Sequence, residues 1–260
     1  MRSHKISTAM ESCHYRTTED GGKLSNKGLN PNRQSKRRFP EQINDICQPF
    51  DKNKFNFTKV SKEEILFTFK ESAAEDIHAV LVNISPISEF HSLFCPFVNK
   101  CLPQVINKDT VRLAINIMLL TQDRLKCKKL KGVLHCFEEG LPVPAFCFEI
   151  LQNSQKLEEI FTLLNYFLEK SIAHNIFITK GDAIEATGEV IRFIVWPRKS
   201  SFGAKQLVAF NVAVCELSGW FPIYNSEDFH NLNTESLETE LKNWKIPNFE
   251  DLCEELKFLF

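Results

Sequence analysis

The chain has 260 residues, 43% hydrophobic and 25% charged, a globular composition with length enough for one large domain or two small ones. A net charge of -1 supplies no overall positive field for nucleic acid or an anionic membrane surface, so neither partner is expected. No segment reaches the ~18 consecutive apolar residues of a membrane span, and no apolar run of signal-peptide length lies near Met1, which makes the expected compartment cytoplasmic.

Up to about Pro40 the sequence is polar, with little to bury, and residues 1–40 are expected to form a disordered basic segment ahead of a single α+β domain over 41–260. The run from Arg33 to Arg38 reads first as a solvated linker, with a nuclear signal or a phosphate contact as alternatives. EILFTF, IHAVLVNIS and HSLFCPFV then predict three strands. Asn107 predicts the cap of a helix from Lys108 to about Gln122, whose Val111, Ile115 and Met118 share one face. LPVPAFCFEIL starts as a turn and ends as a strand. KLEEIFTLLNYFLEK carries a broad apolar stripe with two acidic residues near its start, the clearest helix in the chain. NIFITK and VIRFIVW predict neighbouring antiparallel strands, the second apolar on both faces and therefore central. FNVAVCELSGWF is read as a strand bent at Gly219, and two amphipathic helices capped by Asn233 and Asn248 complete the pattern.

Nine cysteines show neither CxxC pairs nor a repeated spacing, and in a reducing compartment they read as buried thiols. A zinc site from Cys127, His135, Cys136 and Cys147 fits no closed tetrahedral pattern, so no metal or other cofactor is expected. Walker, GxGxxG and GxSxG motifs are absent, which removes support for ATPase, Rossmann and hydrolase readings. The loop from Pro197 to Gly203 offers Arg198, Lys199, two hydroxyls and a glycine directly after a central strand, donors of the kind phosphate oxygens need; its other reading is a solvated turn. Asn175, Asn211 and Glu216 lie in neighbouring predicted strands, where amide and carboxylate groups can meet sugar hydroxyls or serve turn and edge chemistry.

The blocks AHNIFITKG, VWPRKSSFG and AFNVAVCELSG, with LPVPAFCF and the segments around HSLFCPF, resemble the GDP-D-glucose phosphorylases, a branch of the histidine-triad nucleotidyltransferases related to the plant GDP-galactose phosphorylases. The resemblance implies a histidine-triad-like antiparallel sheet flanked by helices. It also implies a two-step reaction on GDP-D-glucose and phosphate, with no cofactor. A histidine attacks the α-phosphorus, glucose 1-phosphate leaves, and phosphate takes the guanylyl group from the histidine to release GDP. Arg198 and Lys199 are the implied phosphate contacts, and Asn175, Asn211 and Glu216 the implied nucleotide-sugar contacts. His91 matches a family histidine that normally follows a glycine, where this chain has Phe90. The family's His-x-His-x-His strand belongs between the helix ending near Gln122 and LPVPAFCF, but DRLKCKKLKGVLHCFEEG holds only His135. Two central strands and the nucleophile are therefore expected to be missing, with His135 the weak replacement candidate, and turnover impaired. The alternative is an inactive protein that binds or regulates through a guanine nucleotide sugar.

Overall fold

The computed structural model describes residues 14–20, 23–36, 38, 44–71, 75–87, 91–103, 105–120, 135–136, 142–150, 156–183, 188–200 and 210–260. The strands are β1 (His14–Asp20), β2 (Lys23–Leu29), β3 (Ile65–Lys70), β4 (Ile77–Val82), β5 (Ser92–Cys95), β6 (His135–Cys136), β7 (Phe146–Ile150), β8 (His174–Asp182), β9 (Glu189–Pro197) and β10 (Trp220–Ile223). The helices are α1 (Pro31–Lys36), α2 (Lys108–Leu120), α3 (Lys156–Glu169), α4 (Val214–Leu217), α5 (Ser226–Asn231), α6 (Thr234–Lys242) and α7 (Phe249–Leu256). This is an α+β protein. It divides into two compact units: Met1–Val105 with Phe202–Asn211 and Gly219–Thr234, and Ile106–Ser201 with Val212–Ser218 and Glu235–Phe260.

In the first unit the three expected strands β3, β4 and β5 are present and pair as an antiparallel sheet. Alternation puts Ala79, Leu81 and Cys95 into a small core with Ile65 and Leu93, while Phe69, His78 and Phe94 group on the opposite face. His78 is fully buried there, and its Nδ1 accepts the Phe97 N–H at 3.2 Å. The amino-terminal segment differs from expectation. β1 and β2 pair antiparallel from His14↔Leu29 to Asp20↔Lys23, and β2 pairs in parallel with β10. Composition over a local window carries no trace of a partner nearly two hundred positions away. The Gly-Gly between the two strands in sequence is, however, a hairpin signal. β2 also buries Lys27, whose ammonium donates to the carbonyls of Phe229 and Leu232.

In the second unit the sheet order is β6-β7-β9-β8, all pairs antiparallel, so β9 is central as its two-sided apolar sequence requires. Phe146, Phe148 and Ile150 of β7 and Ile191, Phe193 and Val195 of β9 point to one face. There they pack with Ile160, Leu164 and Phe167 of α3, Val111 and Ile115 of α2, and Phe249, Leu252 and Leu256 of α7. At about 1.5–3 kcal/mol per fully buried large apolar side chain, this layer is the main stabilising element of the unit. α2 starts where expected, with the Asn107 side chain accepting from the Thr110 N–H at 2.8 Å.

Two expectations are corrected. FNVAVCELSGWF is not one strand: Val214–Leu217 is a helical turn, Gly219 takes φ +88°, and the strand is confined to Trp220–Ile223. The Glu216 carboxylate accepts the Ala213 N–H at 2.8 Å, a local bond that closes the turn and overrides the β-propensity of Val212 and Val214. Asn248 precedes α7 but adopts φ 55° and makes no side-chain cap, so it contributes left-handed backbone geometry instead.

Candidate functional site

β8 and β9 pair from His174↔Pro197 to Asp182↔Glu189, which brings the start of one strand against the end of the other. The register places Asn175 opposite Trp196, one residue from the basic turn that follows β9. Arg198 donates from Nε to Asn175 Oδ1 at 2.6 Å and from Nη1 to the Lys199 carbonyl at 2.9 Å. Its guanidinium lies 5.6 Å from the centre of the Trp244 ring, and the Trp244 indole N–H donates to Glu240 at 3.0 Å. Backbone bonds anchor the turn as well, from Arg198 N–H to the Ala173 carbonyl at 2.8 Å and from Lys199 N–H to the Trp244 carbonyl at 3.1 Å. None of the ion pairs among the described residues includes Arg198, and burial lowers its affinity for its proton. A held, partly desolvated and uncompensated guanidinium is suited to a phosphate or another oxyanion.

His174, which the sequence reading assigned no role, is adjacent. Its Nδ1 lies 3.0 Å from the Ile172 carbonyl, which can only accept, so Nδ1 carries the proton of the neutral ring. Burial first and the Arg198 charge second hold the imidazole below its usual range, against the opposing effect of the Ile172 bond. Its ring packs 5.5 Å from Phe167, on the helix-covered side of the sheet. The signal in the sequence was the His-Asn pair at the strand start, where alternation sends consecutive residues to opposite faces.

The sheet face that bears Asn175 also carries Thr179, Arg192 and Glu149 in one row across three strands, and Cys147 beside them. Arg192 is only 2% exposed and donates from Nε to Glu149 at 2.8 Å; it also bonds the Asp182 carbonyl. Burial pushes the Cys147 thiol up to about 12, which keeps it neutral. β6 sets His135 opposite Cys147 in the ladder, two residues along β7 from Glu149.

Of the sequence-derived residues, the structure therefore brings together Arg198, Asn175 and, through its backbone, Lys199. Glu216 belongs to the same unit, where it is buried and engaged with the Ala213 N–H and the Cys215 thiol. Asn211 belongs to the first unit, with its amide 3.4 Å from the Tyr224 hydroxyl. His91 is also in the first unit, where Nδ1 accepts the Ile87 N–H at 3.1 Å and Asn83 approaches the ring at 3.3 Å. Neither Asn211 nor Glu216 lies in a strand, contrary to the sequence reading. Ser201, Phe202 and Gly203 lie outside the described residues, as does Cys127.

An α+β protein with an anion-ready arginine at the end of a four-stranded antiparallel sheet is the class these features define. Family models described as GDPGP1-like, N-terminal domain and GDPGP1-like, C-terminal domain match residues 6–126 and 130–254. GDP-D-glucose phosphorylase 1 of Danio rerio is 30% identical over 263 residues, covering 85% of this chain and 76% of its own length. The human protein of that name is 30% identical over 270 residues, covering 84% and 70%. GDP-L-galactose phosphorylase 2 of Arabidopsis thaliana is 39% identical over 107 residues, covering 34% and 25%. The chain belongs to the GDP-D-glucose phosphorylase family. No solved structure matches it. The alignments with the zebrafish and human proteins run over more positions than the 260 residues of this chain, so both relatives carry interior residues that it lacks. Among the described residues no helix is long and apolar enough to cross a membrane.

Proposed function

We propose that this chain binds GDP-D-glucose through Arg198 and Asn175, with Lys199 beside the phosphates and Glu216 as a further sugar contact, and that its phosphorolysis is impaired. The observation that carries the reading is the Arg198 guanidinium, fixed by Asn175, set over Trp244 and neutralised by no described carboxylate. On this reading β6 to β9 are the histidine-triad-like part of the fold. Two central strands are missing from it, and β6 contributes only His135 and Cys136 beside β7. One observation supports a missing interior segment, the extra interior residues of the relatives. Without the nucleophilic histidine no guanylyl-enzyme forms by the usual route, and loss of a covalent nucleophile costs on the order of a million-fold in rate elsewhere. The protein acts in the cytoplasm, a reading supported by thiols at Cys95 and Cys147 that are buried and unpaired.

Calorimetric titration with GDP-D-glucose tests the binding. Arg198→Ala is expected to weaken it by about 1.5–3 kcal/mol, the scale of a charged hydrogen bond, and unchanged affinity would remove Arg198 from the site. Phosphate-dependent release of GDP is measured beside it, with His135→Ala as the comparison. Turnover that disappears in the variant would make His135 the nucleophile and overturn the impaired reading.

A further inference from the structure

The connection between α6 and α7 runs beside the basic turn that follows β9, within the same unit. Arg198 and Lys245 form an isolated antiparallel bridge there, and next to it the Lys199 N–H donates to the Trp244 carbonyl at 3.1 Å. A backbone bond from the residue after one member to the residue before the other marks the narrow kind of antiparallel pair. Its Cα atoms stand roughly 4.5 Å apart and its two side chains project to one face. The ladder therefore sets Lys245 opposite Arg198.

Two cations placed directly opposite each other destabilise a ladder until an anion answers them. The hydrogen bonds of the Arg198 side chain go to neutral acceptors, Asn175 Oδ1 at 2.6 Å and the Lys199 carbonyl at 2.9 Å. Trp244 backs the guanidinium with its ring, which is itself tied to Glu240 through the indole N–H at 3.0 Å. Lys245 pairs with Glu250, but at 3.6 Å, beyond hydrogen-bond length, and with side chains 43% and 70% exposed. A loose pair in solvent is readily exchanged for a better acceptor. Neither cation is sealed off, since Arg198, Trp244 and Lys245 are all partly exposed.

We propose that Lys245 is a further phosphate-binding residue, whose ammonium exchanges Glu250 for the diphosphate of the nucleotide sugar and shares that diphosphate with the Arg198 guanidinium. The inference rests on the Arg198 reading above and extends it to a residue that no motif marks. A diphosphate ester carries one negative charge on each of two adjacent phosphoryl groups, which a guanidinium fork and a neighbouring ammonium together match. Glu250 is then a resident competitor: it holds the ammonium when no ligand is bound and is displaced when one arrives.

The test is calorimetric titration of the folded full chain with GDP-D-glucose. The variants are Lys245→Ala, Lys245→Arg, Glu250→Gln, the double variant Lys245→Ala with Glu250→Gln, and Lys242→Ala, which removes the same charge from the exposed end of α6. Lys245→Ala is expected to bind at least about tenfold more weakly than the parent, Lys245→Arg to recover most of that loss, and Lys242→Ala to bind like the parent. Glu250→Gln is expected to bind about two- to fivefold more tightly, and the gain to vanish in the double variant. A lysine that only braced the turn would not produce that coupling. Parent affinity in Lys245→Ala overturns the inference and leaves the Arg198 reading standing. Equal weakening in Lys242→Ala does the same, by reducing the effect to general charge. Unchanged or weaker binding by Glu250→Gln also overturns it. No binding by the folded parent, or parent affinity in Arg198→Ala, removes the underlying reading and this inference with it. If Lys245→Ala fails to fold, the direction of the Glu250→Gln effect decides.

Discussion

Arg192 is almost wholly buried in β9, an inner strand of a four-stranded sheet, and its neighbours answer two of its three nitrogens. Glu149 supplies charge from β7, the Asp182 carbonyl accepts from β8, and Nη1 is left without a partner. Nη1 lies only 2.5 Å from where a Cβ at Gly181 would stand. Gly181→Ala therefore forces the guanidinium off its two anchors, and thermal or urea unfolding is expected to show a loss of about 1–3 kcal/mol. Arg192→Met removes the partner of a largely buried carboxylate and is expected to cost about 3–5 kcal/mol, whereas Arg192→Met with Glu149→Leu recovers much of that loss. A double variant no better than the single would show that Glu149 is held by something other than this pair. The sequence placed Arg192 and Glu149 in strands, but their pairing depends on a register that residue types alone do not state. Arg198 and Asn175 were legible as separate candidates because both flank recognisable strands; their hydrogen bond needs the same register. Trp244 and His174 were missed for the complementary reason, since an indole from a late helix end and a histidine at a strand start give no motif.

At the scale of elements, periodicity served well where one face is buried. α3 falls on the expected residues because its apolar stripe is long and points one way, and the β8–β9 pair does so because NIFITK and VIRFIVW are uninterrupted β-type runs. It failed where a few local bonds decide. Ala213 to Gly219 has strand-like composition, but one carboxylate-to-backbone bond and one positive φ make it a helical turn. The residues 1–40 failed differently, because β2 takes its register from β1 and its second neighbour from β10. α7 shows what the packed elements contribute. Phe249 at its start is fully buried and stacks 5.3 Å from Phe146 of β7, which couples the last helix to the sheet. Phe249→Ala is expected to lower stability by about 3–5 kcal/mol in urea unfolding, the range for a buried aromatic truncated to alanine. Leu120→Ala, at the exposed end of α2, should change it by less than about 0.5 kcal/mol. Equal losses at the two positions would mean that the core is not built around β7 and α7.

For the whole molecule, family membership was legible because strand-terminal blocks such as WPRKSSFG combine Trp, Pro, two cations and a glycine in an order that packing alone does not demand. Residue chemistry also sets how stability responds to pH. His91 and His174 are both held below 6.5, mainly by burial and further by Arg33 and Arg198 respectively. The unfolded chain binds protons at these two positions at a higher pH than the folded one, so their contribution is complete above pH 6.5 and is lost as pH falls through that value towards the folded pKa values. At the alkaline end the sign reverses. Burial raises Cys95 from 9.0 to about 11 and Cys147 from 9.0 to about 12, so stability is complete below pH 9.0 and falls as pH rises through the folded values. Melting temperature against pH should therefore show a plateau between these limits. His174→Asn, judged against its own plateau, should flatten the acid limb without moving the alkaline one, and Cys147→Ala should do the reverse. An acid limb as steep in both His174→Asn and His91→Gln as in the parent would mean that carboxylates, and not these two imidazoles, govern the loss.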